Sequence, residues 1–301
     1  MLAFPIDTVF VEGPDLSGKT TLIKEIHMST GYKWHVMDRS KLSRAAFSSF
    51  YGRDCEFSRY DFLREISNLN NRYIFLLPHL SILQARLRAR GDEIHDENSL
   101  KEVYEYFSNE LSLIRRLPNV ISILSVISNR AVSMICDSLT RLESPTLDNI
   151  SDYVFNFVDN SPRAECNTLS LTLYDDGEFK ESNSNILMCE GESNYYKRIY
   201  NTFMKKIDDE LKGNNEYNRI EDIFSRRFIF TEDTCISLIH ATIRDNLLDL
   251  YCVCRSTDVK NKFPHDLKFL YFLASKICKR FEDNCKMTRI RINLNAAHIV
   301  E

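Results

Sequence analysis

Thr8-Val9-Phe10-Val11-Glu12-Gly13-Pro14-Asp15-Leu16-Ser17-Gly18-Lys19-Thr20 is the stretch on which the fold turns. Its β-branched and aromatic start, Thr8 to Val11, predicts a strand, and the amphipathic stretch from Thr20 to His27 predicts a helix. Between them, residues 13–20 fit GxxxxGK[ST] without a gap, in the strand-loop-helix setting that pattern requires. Glycine lets the backbone curl until successive N–H groups face one anion, and a helix beginning at Lys19 adds its positive end. The expected ligand is the phosphate tail of a nucleoside triphosphate, ATP if the chain is a kinase. Gly13, Pro14, Asp15, Leu16, Ser17, Gly18, Lys19, Thr20 and Thr21 would form its cradle, with Lys19 on the β/γ-phosphates and the Thr20 hydroxyl on Mg²⁺.

Working outward, further strands are expected at 33–37, 73–77 and 120–126, separated by helical patterns at 61–69, 81–90 and 100–116. Alternating strands and helices predict an α/β domain with a parallel sheet covered on both faces. A last helix near 147–158 leads to Asp159-Asn160-Ser161-Pro162, which reads as a linker and divides the chain into domains 1–162 and 163–301. The chain has 301 residues, enough for two cores of about 150 residues each. Behind the linker, strands at 169–174, 227–230, 235–244 and 247–255 with helices at 195–212 and 266–280 predict an α+β domain.

Charge narrows the function classes. The formal net charge is −4, without the positive excess expected of a general nucleic-acid-coating protein. The nine cysteines are scattered and follow no secretory segment, so a reduced, cytoplasmic compartment is expected. Cys252 and Cys254 are expected to point to opposite faces of a strand, which argues against a closed zinc site there. No apolar run approaches the ~20 residues that span a bilayer, so no membrane partner is expected.

The run from Val11 to Thr21 resembles the loop of thymidylate kinases and their deoxynucleoside kinase relatives, which carry Glu-Gly before the loop and an acidic residue within it. Asp38-Arg39-Ser40 resembles the Asp-Arg motif of the same families. Arg86, Arg88 and Arg90 follow a predicted strand as the lid arginines do there. The resemblance implies a P-loop nucleotide kinase in which Asp15 reads the acceptor sugar, Asp38 positions Mg²⁺ and Arg39 holds the acceptor phosphate. Lys19, Asp38, Arg39, Arg86 and Arg90 are then the catalytic candidates, and Thr20 and Asp38 the metal candidates. Arginines at every second helical position point around the cylinder, so at most two of the three can face inward together. Only about ten residues separate His27 from Met37, so a strand and helix usual in thymidylate kinases are missing, as in short phage nucleotide kinases.

In the second half, Asn218 to Arg227 resembles the Ser-Arg-Arg stretch of thymidylate synthases. Cys235 precedes Arg255 at the interval found between that family's nucleophile and its phosphate-binding Arg-Ser. Pro264, Asp266 and Ala297-His298-Ile299 continue the likeness. The resemblance implies Cys235 as nucleophile, Arg255 and Ser256 as phosphate ligands, Arg226 and Arg227 as a pair donated to a partner subunit, Asp266 as base reader and His298 as sugar contact. An Asp at position 266 resembles the cytosine-type hydroxymethylases. Departures from the family are Ile236 after the cysteine, Asp233-Thr234 in place of Pro-Pro, Val300 in place of Tyr, and an end at Glu301 without the closing segment. They point to a degenerate domain that binds a nucleotide or dimerises, with folate a cofactor only if one-carbon transfer survives.

The reading implied is a dTMP-kinase-like enzyme of DNA-precursor synthesis, homodimeric, in the host cytoplasm if its source is a virus. Two alternatives remain: a kinase acting on a nucleoside or on a modified pyrimidine in DNA, which alone would make nucleic acid a partner, and a non-catalytic nucleotide sensor.

Overall fold

The computed structural model describes residues 1–54, 57–90, 96–141, 144–175, 193–213, 228–281 and 285–300. Two compact units emerge. Ile6–Arg141 forms one, and Met1–Pro5 with Leu142–Glu301 forms the other. From the N terminus run β1 (Leu2–Ala3), β2 (Thr8–Glu12), α1 (Lys19–Thr30), β3 (Val36–Asp38), α2 (Lys41–Phe50), α3 (Arg59–Ile66), β4 (Asn71–Leu76), α4 (Leu80–Arg90), α5 (Glu97–Ile114), β5 (Val120–Ile123) and α6 (Asn129–Thr140). There follow α7 (Leu147–Asp159), β6 (Glu165–Asp175), α8 (Ser193–Gly213), β7 (Ile229–Thr231), β8 (Ile236–Arg244), β9 (Leu247–Cys254), β10 (Thr257–Asp258), α9 (Phe263–Arg280) and β11 (Lys286–His298).

The first unit is a four-stranded parallel sheet in the order β3-β2-β4-β5. Strand alternation sends neighbouring residues to opposite faces, and helices cover both. Val9, Val11, Ile74 and Leu76 pack on one side against Leu22 and Ile26 of α1 and Val132, Ile135 and Leu139 of α6. On the other side Phe10 stacks on Tyr73 at 5.2 Å and Phe62 of α3 meets Tyr73 edge-on. Phe47 of α2 approaches Phe107 of α5 on a tilted ring contact. The central strands β2 and β4 are thereby sealed; the Gly13–Thr20 loop emerges at the carboxyl end of β2 and the Asp38-Arg39 step at the carboxyl end of its neighbour β3.

The second unit is a seven-stranded mixed sheet in the order β1-β6-β11-β9-β8-β7, with β10 paired to β11. Helices α7, α8 and α9 pack on it. Leu169, Leu171 and Leu173 of β6, Ile290, Ile292 and Leu294 of β11, and Leu248 and Leu250 of β9 are buried. The alternating positions bear Arg289, Arg291, Asn293, Asp249 and Tyr251, where the Asp249 carboxylate accepts from Arg289 Nε at 2.7 Å and Arg291 Nη2 at 3.0 Å.

Three expectations need correction. The division falls at Arg141, ahead of the expected linker at Pro162, because α7 packs on α9 and β6 and so belongs to the second core. Cys252 and Cys254 share the buried face of β9 with their sulfurs 3.9 Å apart, as residues two apart on a strand must. Helices α2 and α6, the two-residue strands β1 and β10 and the 13-residue strand β11 were not expected. The remaining elements lie within a few residues of their expected ranges. Arg226 and Arg227 fall outside the described residues.

Candidate functional site

Gly13 follows β2 and turns the chain at φ 138°, Leu16 sits at φ 65°, and Gly18 at φ 104° caps α1. Two glycines take the positive φ at low cost. A second reason fixes Gly13: a Cβ there would stand 2.3 Å from the Leu76 carbonyl oxygen. No side chain caps the first turn of α1, which leaves its leading N–H groups directed into the loop. Ser17 Oγ is buried in the same loop without a hydrogen-bond partner.

Lys19 is 6% exposed, and its Nζ donates to the carbonyls of Gly13 at 3.0 Å and Pro14 at 2.9 Å. Burial pulls its pKa below the usual lysine value, opposed by the carboxylates of Asp15 and Asp38. A polyanion in the loop would act in the same sense as those carboxylates and favour the charged ammonium.

Several of the candidate side chains meet at one cleft of about 700 Å³, lined by Asp15, Lys19, Thr20, Asp38, Arg39 and Arg86 among others. Arg39 Nη2 donates to Asp15 Oδ1 at 2.9 Å, and Arg86 Nη1 donates to the Leu16 carbonyl at 2.7 Å. Arg90, one helical turn after Arg86, lines the same cleft. Arg88 turns away and pairs with Glu97 at 2.7 Å. Within the described residues no group of three or more His, Cys, Asp or Glu could hold a metal unaided. Thr20 and Asp38 offer oxygen ligands whose number suits an ion completed by phosphates and water.

Arg39 also lines a second cavity of about 330 Å³, with Arg44, Phe47, Tyr51, Arg53 and Phe57 around it. Phe47 and Tyr51 are stacked at 6.0 Å with 13° between their planes. Guanidinium groups lie over the rings: Arg39 over Phe47 at 4.3 Å and Arg53 over Tyr51 at 5.1 Å. Arg39 Nε is buried there without a partner. Most of this pocket comes from α2 and the residues after it, where no helix was expected. The N-cap Ser40, whose hydroxyl accepts from Leu42 N at 3.1 Å, was the available signal.

In the second unit the Arg255 N–H donates to the Cys235 carbonyl at 2.8 Å, so those two residues are neighbours across β8 and β9. Cys235 is a half-buried free thiol. The Arg255 side chain is exposed and paired with Asp233. Ser256 Oγ lies 3.5 Å from His298 Nδ1. Asp266 is 2% exposed and accepts from the Tyr196 hydroxyl at 2.8 Å. Tyr195, which sequence reasoning passed over, accepts from Ile236 N at 2.9 Å, and burial pushes its phenol up to about 12.

The chain is thus an α/β protein with a parallel four-stranded sheet unit and a mixed-sheet unit, and the cleft of about 700 Å³ is in the first. No protein-family model matches the chain, and no curated protein matches it. Among the described residues no helix is long and apolar enough to cross a membrane.

Proposed function

We propose that the protein is a P-loop kinase of the thymidylate-kinase type that transfers the γ-phosphoryl group of ATP to a nucleoside monophosphate. The observation that carries this reading is the cleft in which Lys19, Thr20, Asp38, Arg39 and Arg86 converge at the carboxyl ends of parallel strands, the usual place for ligands in open α/β sheets. The donor set fits a triphosphate: uncapped helix N–H groups, a buried lysine and an orphaned serine hydroxyl. Bound ATP with Mg²⁺ supplies the transferable group. Lys19, which donates to the loop carbonyls, would serve the β/γ oxygens, and Thr20 and Asp38 would hold the Mg²⁺ that offsets the phosphate charge. Arg86 and Arg90 close on the charge that develops between donor and acceptor. The acceptor oxygen gains the bond to phosphorus as the bridging bond to the departing diphosphate breaks.

The adjoining Arg39 pocket favours a monophosphate acceptor over a neutral nucleoside. It has three guanidiniums against the one carboxylate of Asp54, and flat rings against which a base can lie. Radiolabel transfer from ATP to a panel of deoxynucleoside monophosphates, nucleosides and modified DNA tests this, with labelled nucleoside diphosphate as the expected product. Label found in polymeric DNA alone sinks the monophosphate reading. Arg53→Ala is expected to raise KM for the monophosphate about tenfold, one charge-assisted contact, and to leave the Kd for ATP unchanged.

The second unit we read as a thymidylate-synthase-like module that binds a nucleotide or joins two chains. Its support is the neighbouring placement of Cys235 and Arg255 and of Ser256 and His298. Sedimentation equilibrium should give twice the chain mass. Incubation with deoxyuridine or deoxycytidine monophosphate and a one-carbon folate should yield no alkylated product, and any turnover there contradicts the degenerate reading.

A further inference from the structure

Glu12 is the last residue of β2 and is 0% exposed, yet neither the cleft nor the adjoining pocket is lined by it. Its two carboxylate oxygens are divided between two donors on the far side of Arg39: the Ser40 backbone N–H and the Ser43 hydroxyl. A carboxylate of this kind needs its donors, since burial alone pushes the Glu12 pKa up and the bonds from Ser40 and Ser43 oppose it. Ser40 is the N-cap of α2 and Ser43 lies in its first turn. The next N–H, that of Lys41, is taken by Glu65 Oε2 at 3.0 Å, and Leu42 N by the Ser40 hydroxyl. The whole start of α2 is therefore held by side chains, two of them carboxylates favoured at a helix N-terminus.

Arg39 lies inside this clamp. Its own N–H donates to the Val11 carbonyl at 3.1 Å, and the N–H of the residue after it goes to Glu12. It is pinned on both sides at φ 74°, a left-handed conformation that costs a non-glycine residue about 1–2 kcal/mol and persists only where neighbours enforce it. That conformation accompanies a guanidinium placed over Phe47 and beside Asp15 at once.

We infer that Glu12 is a positioning residue, which ties the strand feeding the Gly13–Thr20 loop to α2 and so fixes Arg39 and the Phe47–Tyr51 pocket relative to that loop. This rests on the kinase reading for its meaning but not for its test. Hydrogen exchange with mass spectrometry on the full chain reads the clamp directly. Glu12→Asp withdraws the carboxylate by one methylene, and Ser43→Ala removes one donor with less risk to folding. Both should speed exchange over residues 40–47 about tenfold while residues 19–30 keep their protection, and raise KM or calorimetric Kd for thymidine monophosphate about tenfold with Kd for Mg·ATP changed less than about threefold. Glu12→Gln can still accept from Ser40 with its oxygen and donate to Ser43 with its amide, and should restore parent behaviour. Unchanged exchange in both disruptive variants overturns the inference. So does an ATP affinity that falls in step with acceptor affinity, which would mean only general loosening. A parent protein without phosphoryl transfer contradicts the kinase reading alone, and the exchange result then decides the clamp.

Discussion

Replacing Lys19 with alanine is expected to leave a folded protein that transfers phosphate about 10²–10³-fold more slowly or not measurably, the scale of losing one preorganised charge in a desolvated site. Lys19 is the one loop cation already buried at the cleft, 6% exposed, with its ammonium parked on two backbone carbonyls. On the proposed kinase reading, removing it deletes the group that would meet the β/γ oxygens and also the strut between the Gly13 and Pro14 carbonyls, so Kd for ATP should rise together with the fall in kcat. Circular dichroism should show helix content unchanged, because Lys19 is not among the apolar residues that pack α1 on the sheet. Turnover equal to the parent would remove the loop from the chemistry altogether.

Gly13→Ala is expected to be the most damaging single methyl in the first unit. Its Cβ would sit 2.3 Å from the carbonyl oxygen of Leu76, and the backbone stands at φ 138°, where side chains are strained whatever the space. The neighbour is the backbone of a fully buried strand and cannot swing aside. Strain and overpacking together amount to about 3–5 kcal/mol, which lowers the melting temperature by about 10 °C or more for a unit of this size. Differential scanning calorimetry checks it. Gly52→Ala is the control: Gly52 also has positive φ, but nothing stands within 4 Å of the added carbon, so the loss should stay near 1 kcal/mol.

The first unit was largely legible because its signals are local. Residues 8–20 place strand, loop and helix by themselves, and the buried runs of β2 and β4 announce a covered parallel sheet. Arg86 and Arg90 could be grouped from helical spacing, which also excludes Arg88. What escaped is what depends on capping and on distant partners. The segment forming α2 does carry a helical period, in Leu42, Ala45, Ala46, Phe47 and Phe50, which went unweighed, and the start of its helix is held by Glu12 and Glu65 from other elements. No spacing rule links Glu12 to Ser43. The alternation of Ile290, Ile292 and Leu294 with arginines and asparagines is the period of a strand with two unlike faces, and it went unweighed, so β11 was not expected. The domain boundary failed for a related reason: the polar stretch ending at Pro162 looks like a linker, while the packing of α7 on α9 leaves no trace in local composition.

Isothermal titration of the full chain with Mg·ATP tests the central claim most directly. One site per chain is expected, lost in Lys19→Ala, with heat that depends on the metal. Absence of binding by any purine triphosphate, or equal binding by the alanine variant, contradicts it.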